Sequence, residues 1–191
     1  MLVRAFRVLA IAGCAALLLG TSRCQTTGAN NVNGPVFVTS LTTLDANNQP
    51  AGSFSRGQSV TFQLSVRNRS QSAQTLWFNT AQQYNFAVVA AGTGNVVWYW
   101  SAGQLFTQGF TSLTFQPGQA RLFAVSWNQI NTQGQLVSAG SYEVLGGVTY
   151  FNTSGASGPA NNGGAMATGI PAASQLMPTQ YVSSLVPFSI Q

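Results

Sequence analysis

Side chains able to do acid–base or nucleophilic chemistry are scarce in this sequence. Among its 191 residues there is no His and no Lys, and Asp45 and Glu143 are the only acids. Without an imidazole or an amine, a serine has no partner to take its proton. Zinc lacks its commonest nitrogen ligand, and Schiff-base and phosphate-loop chemistry lack their lysine. Paired-carboxylate hydrolysis would have to unite two acids that lie far apart in the chain. No G-x-S-x-G elbow, P-loop or dinucleotide fingerprint is present. The expectation is a non-enzymatic protein with no catalytic residue, no cofactor and no metal site. Asp45 with Asn47 and Asn48 offers oxygens to a cation, but one carboxylate among amides is weak for a hard divalent ion, and these are ordinary turn formers. A turn is expected there. Asn68-Arg69-Ser70 and Asn152-Thr153-Ser154 fit the glycosylation sequon and are given no weight.

Binding chemistry is better supplied, with 12 Phe, 5 Tyr and 4 Trp. Trp98, Trp100 and Phe106 could together form an aromatic recognition surface. In a strand, however, Trp98 and Trp100 share one face, so at least one is expected in the core, with residues 101–106 turning back against it. Tyr99, on the opposite face, is the binding-surface candidate.

The elements that must position these residues read as strands. SVTFQLSVRN at 59–68 alternates Val60, Phe62, Leu64 and Val66 with Thr61, Gln63, Ser65 and Arg67, the period of a sheet with one buried face. RLFAVSW at 121–127 sets Phe123, Val125 and Trp127 inward, and Pro117-Gly118 before it reads as a hairpin turn. Further strands are expected at 35–44, 75–80, 84–91, 95–100, 112–115 and 141–150. Gly146-Gly147 marks a bulge or a close approach. Leu185, Phe188 and Ile190 let the C-terminus rejoin the sheet, with Pro187 at an edge or bulge. Glu143 has Arg67 or Arg121 as cross-strand partners. The fold class is all-β, an immunoglobulin-like antiparallel β-sandwich.

The ends of the chain carry other signals. Residues 1–24 have the layout of a secretory signal peptide: two arginines in MLVRAFR, then the 13-residue apolar run VLAIAGCAALLLG, short for a membrane span. Export to the periplasm, cell envelope or medium is expected. Lipidation of Cys24 is the secondary reading, since Arg23 departs from the small residue that precedes a lipidated cysteine. Removing the signal leaves four arginines against two acids, a net charge of +2, so nucleic acid is not an expected partner. At most one cysteine then remains, and no internal disulfide can form. Residues 25–34 read as a flexible leader, and residues 35–191 as the domain. Residues 152–180, rich in Gly, Ala, Ser and Asn, read as a mobile surface loop, with Met166, Ile170, Leu176 and Met177 as its only apolar anchors.

From Gly57 to Tyr150 the order of blocks resembles the BsuPI family, the bacterial intracellular proteinase inhibitor domain. FQLSVRNRS at 62–70 is similar to the family's strand ending in Asn-x-Ser, and LWFNTAQQYNFAVV at 76–89 to its aromatic strand, Gln-containing turn and following segment. VVWYWSAGQLFTQ at 96–108 carries the Trp-x-Trp-Ser and Phe-Thr-Gln signature. PGQARLFAVSW at 117–127, AGSYEVLGGV at 139–148 and FSI at 188–190 follow in family order. Asn85 stands where the pattern leads us to expect an acid, and Tyr99 where it leads us to expect Arg. The resemblance implies a β-sandwich whose partner is another protein, a subtilisin-like protease in the inhibitor reading. A cell-envelope structural or adhesion module is the alternative, and it suits the export signal and the neutral Gln/Asn/Thr surface.

Overall fold

The computed structural model describes residues 36–150 and 181–191. The signal segment at 1–24, the leader at 25–34 and the biased stretch at 152–180 lie outside them. The described residues form ten strands and no helix: β1 Phe37–Leu44, β2 Ser53–Phe54, β3 Val60–Asn68, β4 Gln74–Thr80, β5 Tyr84–Ala90, β6 Val96–Tyr99, β7 Gln108–Phe115, β8 Ala120–Trp127, β9 Gly140–Val148 and β10 Val186–Ile190. One sheet has the order β1-β3-β8, a second β2-β10-β9-β5-β6, and β4 pairs with β7 alone. All pairings are antiparallel except the two-residue contact of β2 with β10.

The two larger sheets are held face to face by the residues that alternation assigns to the inside. Phe62, Leu64 and Val66 of β3 are fully buried, while Gln63 and Ser65 are only half-covered. Val125 and Trp127 of β8 are buried, and Phe123 is half-buried against the same core, its ring 4.9 Å from that of Tyr84. The facing sheet contributes Phe86, Val88, Val144 and Phe188. Rings meet across the interface: Phe62 lies 6.2 Å from Phe86 and 5.9 Å from Phe188, and Trp127 lies 5.9 Å from Trp98. The sandwich expected from the sequence is present.

Local turn chemistry is largely as the sequence implies. Asp45 Oδ1 accepts the amides of Asn47 and Gln49, both at 2.8 Å, and Asn48 takes φ 59°, so this cluster is a turn. Gly146 is a close-approach site and not a bulge. It pairs in register with Phe86, and a Cβ there would lie 2.9 Å from the Phe86 ring. Pro187 sits opposite Glu143, at a point of β10 that β2 does not reach, so the missing N–H faces no strand.

Two expectations are corrected. Gln116-Pro117-Gly118-Gln119 is a tight turn, with Gly118 at φ 73° and the Gln119 amide donating to the Gln116 carbonyl at 3.0 Å, but it does not close a hairpin. It carries the chain from β7, paired with β4, to β8, paired with β3. Glu143 pairs with neither Arg67 nor Arg121, because it lies on β9 in the opposite sheet. Arg67 donates to the Gly118 carbonyl at 3.1 Å, and the Arg121 guanidinium sits 5.5 Å from the centre of the Phe115 ring.

Four tyrosines, Tyr142 buried and Tyr84, Tyr150 and Tyr181 half-buried, give the fold a pH dependence at the alkaline end. Burial raises the pKa of Tyr84, Tyr142 and Tyr181, with Arg56 pulling Tyr142 part of the way back. Tyr150 is pushed up to about 12 by burial first and then by the Tyr181 phenol, whose ring centre is 4.8 Å away. The fold thus favours the protonated phenols. Their contribution is fully present below the unfolded pKa of about 10 and is lost as pH rises through the raised pKa values, that of Tyr150 being about 12. With no Lys in the chain, tyrosines carry this alkaline limb. Denaturant midpoints should hold steady up to about pH 10 and fall beyond it. A midpoint unchanged through pH 12 would show the phenols ionising freely within the fold.

Candidate functional site

The Trp-x-Trp-Ser and Phe-Thr-Gln residues run from the end of β6 through the segment joining it to β7 and into Gln108, the first residue of β7, and the two ends of that segment are fixed by different means. At the first end Asn85 of β5 is buried, with 2% exposure. Its Nδ2 donates to Ser101 Oγ at 2.9 Å, while its Oδ1 accepts the Ser101 amide at 3.2 Å and the Phe86 amide at 3.0 Å. An amide supplies a donor and an acceptor together, so one side chain holds both the backbone and the hydroxyl of Ser101. The Trp100 amide donates to the Phe86 carbonyl at 2.9 Å, continuing the β5–β6 ladder by one residue.

Two tight turns follow. The Ala102 amide donates to the Tyr99 carbonyl and the Gln104 amide to the Ser101 carbonyl, both at 3.1 Å, with Gly103 at φ 71°. A side chain at Gly103 would strain that left-handed geometry. At the second end the Ala81 amide donates to the Thr107 carbonyl at 2.9 Å. The Phe106 ring lies 5.6 Å from that of Trp100, which in turn stacks on Tyr84 at 4.5 Å and 23°. The aromatic signature residues are therefore the foundation of the loop.

At its tip Leu105 is 99% exposed. Among the described residues nothing hydrogen-bonds its amide or its carbonyl. Two other large exposed apolar side chains, Trp77 and Leu122, behave differently. Trp77, at 44% exposure, lies within β4 opposite Ser112, between buried Leu76 and Phe78, and Leu122 lies within β8 opposite Ser65. Their backbones are already built into ladders. No charged residue occurs from Ser70 to Ala120, so the loop and both flanking strands present a neutral surface.

Tyr99 is on the face opposite Trp98 and Trp100, as its position in the strand requires. Its ring is half-buried against a small second cluster of Ala87, Val89, Val96 and Leu145. Trp98 packs inward, 6.0 Å from Phe62, and residues 101–106 turn back onto Trp100 as the sequence implies. Sequence reasoning missed Leu105. Its signal is a large apolar residue just after a glycine turn, where no alternation calls for one. Among the described residues no group of three or more His, Cys, Asp or Glu could hold a metal ion.

Comparisons place the chain in a family. The family model BsuPI, described as intracellular proteinase inhibitor, matches residues 50–150, more than half of the chain. None of the curated proteins matches. Among solved structures the chain is similar to the β-glucosidase EmGH1 from Erythrobacter marinus, at 10% identity and a TM-score of 0.40, over 81% of this chain and 15% of that one. A β-glucosidase from Listeria innocua in complex with glucose matches at 10% identity and a TM-score of 0.38, over 81% and 16%. The chain thus spans less than a fifth of the length of these β-glucosidases. The C-terminal domain of Wzt matches at 11% identity and a TM-score of 0.43, over 83% of this chain and 75% of that domain. These distant likenesses carry no weight beside the family match, whose span takes in the buried Asn85 and the whole β6–β7 loop: the chain belongs to the BsuPI family of intracellular proteinase inhibitors.

Proposed function

We propose that the chain is an exported, non-enzymatic domain that binds and inhibits a subtilisin-like proteinase. The observation that carries this reading is the family match over residues 50–150. An inhibitor needs a stable frame and a preorganised contact segment, and it needs no general base, nucleophile or metal of its own. The sandwich core and the doubly anchored β6–β7 loop suit that requirement. Tyr99 stands one residue before the loop's anchor at Trp100 and is assigned to the edge of the contact. Export rests on the signal layout of residues 1–24 and places the target proteinase outside the cytoplasm.

The test is inhibition of a panel of proteinases by the purified protein, with fractionation of the cells that make it. Slowed turnover of a reporter substrate by a subtilisin-like enzyme, together with recovery of the protein outside the cytoplasm, is the expected result. Rapid degradation with no slowing of the reporter would defeat inhibition. Retention in the envelope after salt washing, without inhibition, would favour the envelope module instead.

A further inference from the structure

We propose that Leu105 is the side chain this protein inserts into the primary specificity pocket of its target proteinase, and that this pocket is apolar and uncharged. The proposal rests on the inhibitor reading above and adds to it the contact residue and the class of target.

A proteinase cleft holds its substrate as an added strand: backbone hydrogen bonds supply register and one side chain fills the primary pocket. A segment that imitates a substrate must therefore offer a free backbone donor and acceptor and a projecting side chain at the same residue. Leu105 has all three, with its side chain 99% exposed and its amide and carbonyl unbonded among the described residues. A single exposed leucine is ordinary on a protein surface. What sets this one apart is an open backbone between fixed flanks combined with 99% exposure, against 77% for Phe110 and 49% for Leu185. Trp77 and Leu122 lack the first feature, because their residues are paired within β4 and β8.

The flanks limit the entropy that binding must remove. Ser101 is held by Asn85, Gln104 by the Ser101 carbonyl, Thr107 by Ala81, and the Phe106 ring by Trp100, which leaves Leu105 between anchored neighbours. A segment held in this way gives up little freedom on docking. Its chemistry also selects the pocket. With no charge from Ser70 to Ala120, neither Leu105 nor its surroundings can satisfy an acidic specificity pocket, whereas the branched apolar side chain fits a hydrophobic one.

Inhibition of subtilisin, whose primary pocket is apolar, and of trypsin, whose pocket is acidic, is measured with the full chain and with the variants Leu105→Asp and Leu105→Arg. The wild type is expected to inhibit subtilisin and to leave trypsin unaffected. Leu105→Asp should weaken inhibition of subtilisin on the order of 100-fold, because a buried anchor is replaced by a charge facing an apolar wall. Its melting temperature should not move, since the leucine side chain is fully exposed. Leu105→Arg should gain inhibition of trypsin. If the wild type inhibits subtilisin and Leu105→Asp does so equally well, the contact lies elsewhere and the inhibitor reading survives. Failure of Leu105→Arg to act on trypsin overturns insertion into the pocket. Absence of any inhibition by the wild type overturns the inhibitor reading and this proposal with it.

Discussion

Replacing Phe62 by Ala is expected to lower the stability of the domain by about 3–5 kcal/mol, the usual range for removing a fully buried ring. Phe62 has 0% exposure, and its ring lies 6.2 Å from Phe86, 6.0 Å from Trp98, 5.9 Å from Trp127 and 5.9 Å from Phe188. Those four come from β5, β6, β8 and β10, so one side chain packs against rings from both sheets. Collapse into the space would have to move large rings that already pack on one another, as Trp127 does on Trp98 and Phe188. The cavity should therefore persist, which places the cost in the upper part of the range. Equilibrium denaturation of the two proteins checks this. A loss below about 1 kcal/mol would mean that the rings relax into the gap and that the core is not packed around Phe62.

The β3 register was legible because alternation is a direct consequence of strand geometry. Val60, Phe62, Leu64 and Val66 point one way whatever the partner strand is, so burial of that face needs no tertiary knowledge. Pairing is a different matter. Pro117-Gly118 specifies a chain reversal, and a reversal forms, yet the strands on its two sides belong to different sheets. Local turn chemistry fixes φ and ψ at Gly118 and is silent about which edge receives β8. The two residues of β2 carry no periodicity at all. Gln129 was also hidden from the sequence. It is buried at φ 64°, and its side chain binds the backbone of Ser55, Gly57 and Gln58, about seventy residues earlier in the chain. At the candidate site the aromatic signature was visible as composition and order. Its division of labour was not, since whether Trp100 and Phe106 face a partner or hold a loop depends on Tyr84 and Asn85 of a neighbouring strand. Leu105 has meaning only once those supports are in place.

Replacing Asn68 by Ala is expected to cost about 2–4 kcal/mol, although by its sequence the residue only heads a glycosylation sequon. Asn68 is 0% exposed at the end of β3. Its Nδ2 shares two hydrogens among the carbonyls of Ser72, Phe115 and Gln116 at 2.9, 3.1 and 3.2 Å, and its Oδ1 accepts the amide and hydroxyl of Ser70 at 2.9 and 2.8 Å. Its own amide donates to the Gln119 carbonyl and its carbonyl accepts from the Gly118 amide. The Asn-x-Ser pattern is thus a corner that ties the end of β3 to the approach to β4 and to the β7–β8 turn. A glycan on a nitrogen so enclosed is incompatible with the fold. Alanine would leave buried carbonyls without a donor, and that loss exceeds the modest net value of the bonds themselves. Asp would fare no better, because it keeps the acceptor for Ser70 and brings a charge against three carbonyl oxygens. Denaturation gives the magnitude, and amide exchange locates it. Protection should fall first in β4 and β7, which pair only with each other, while Phe62 and Leu64 remain protected. A loss under about 0.5 kcal/mol, with β4 and β7 still protected, would mean that water replaces the side chain and that the corner is held by its backbone bonds alone.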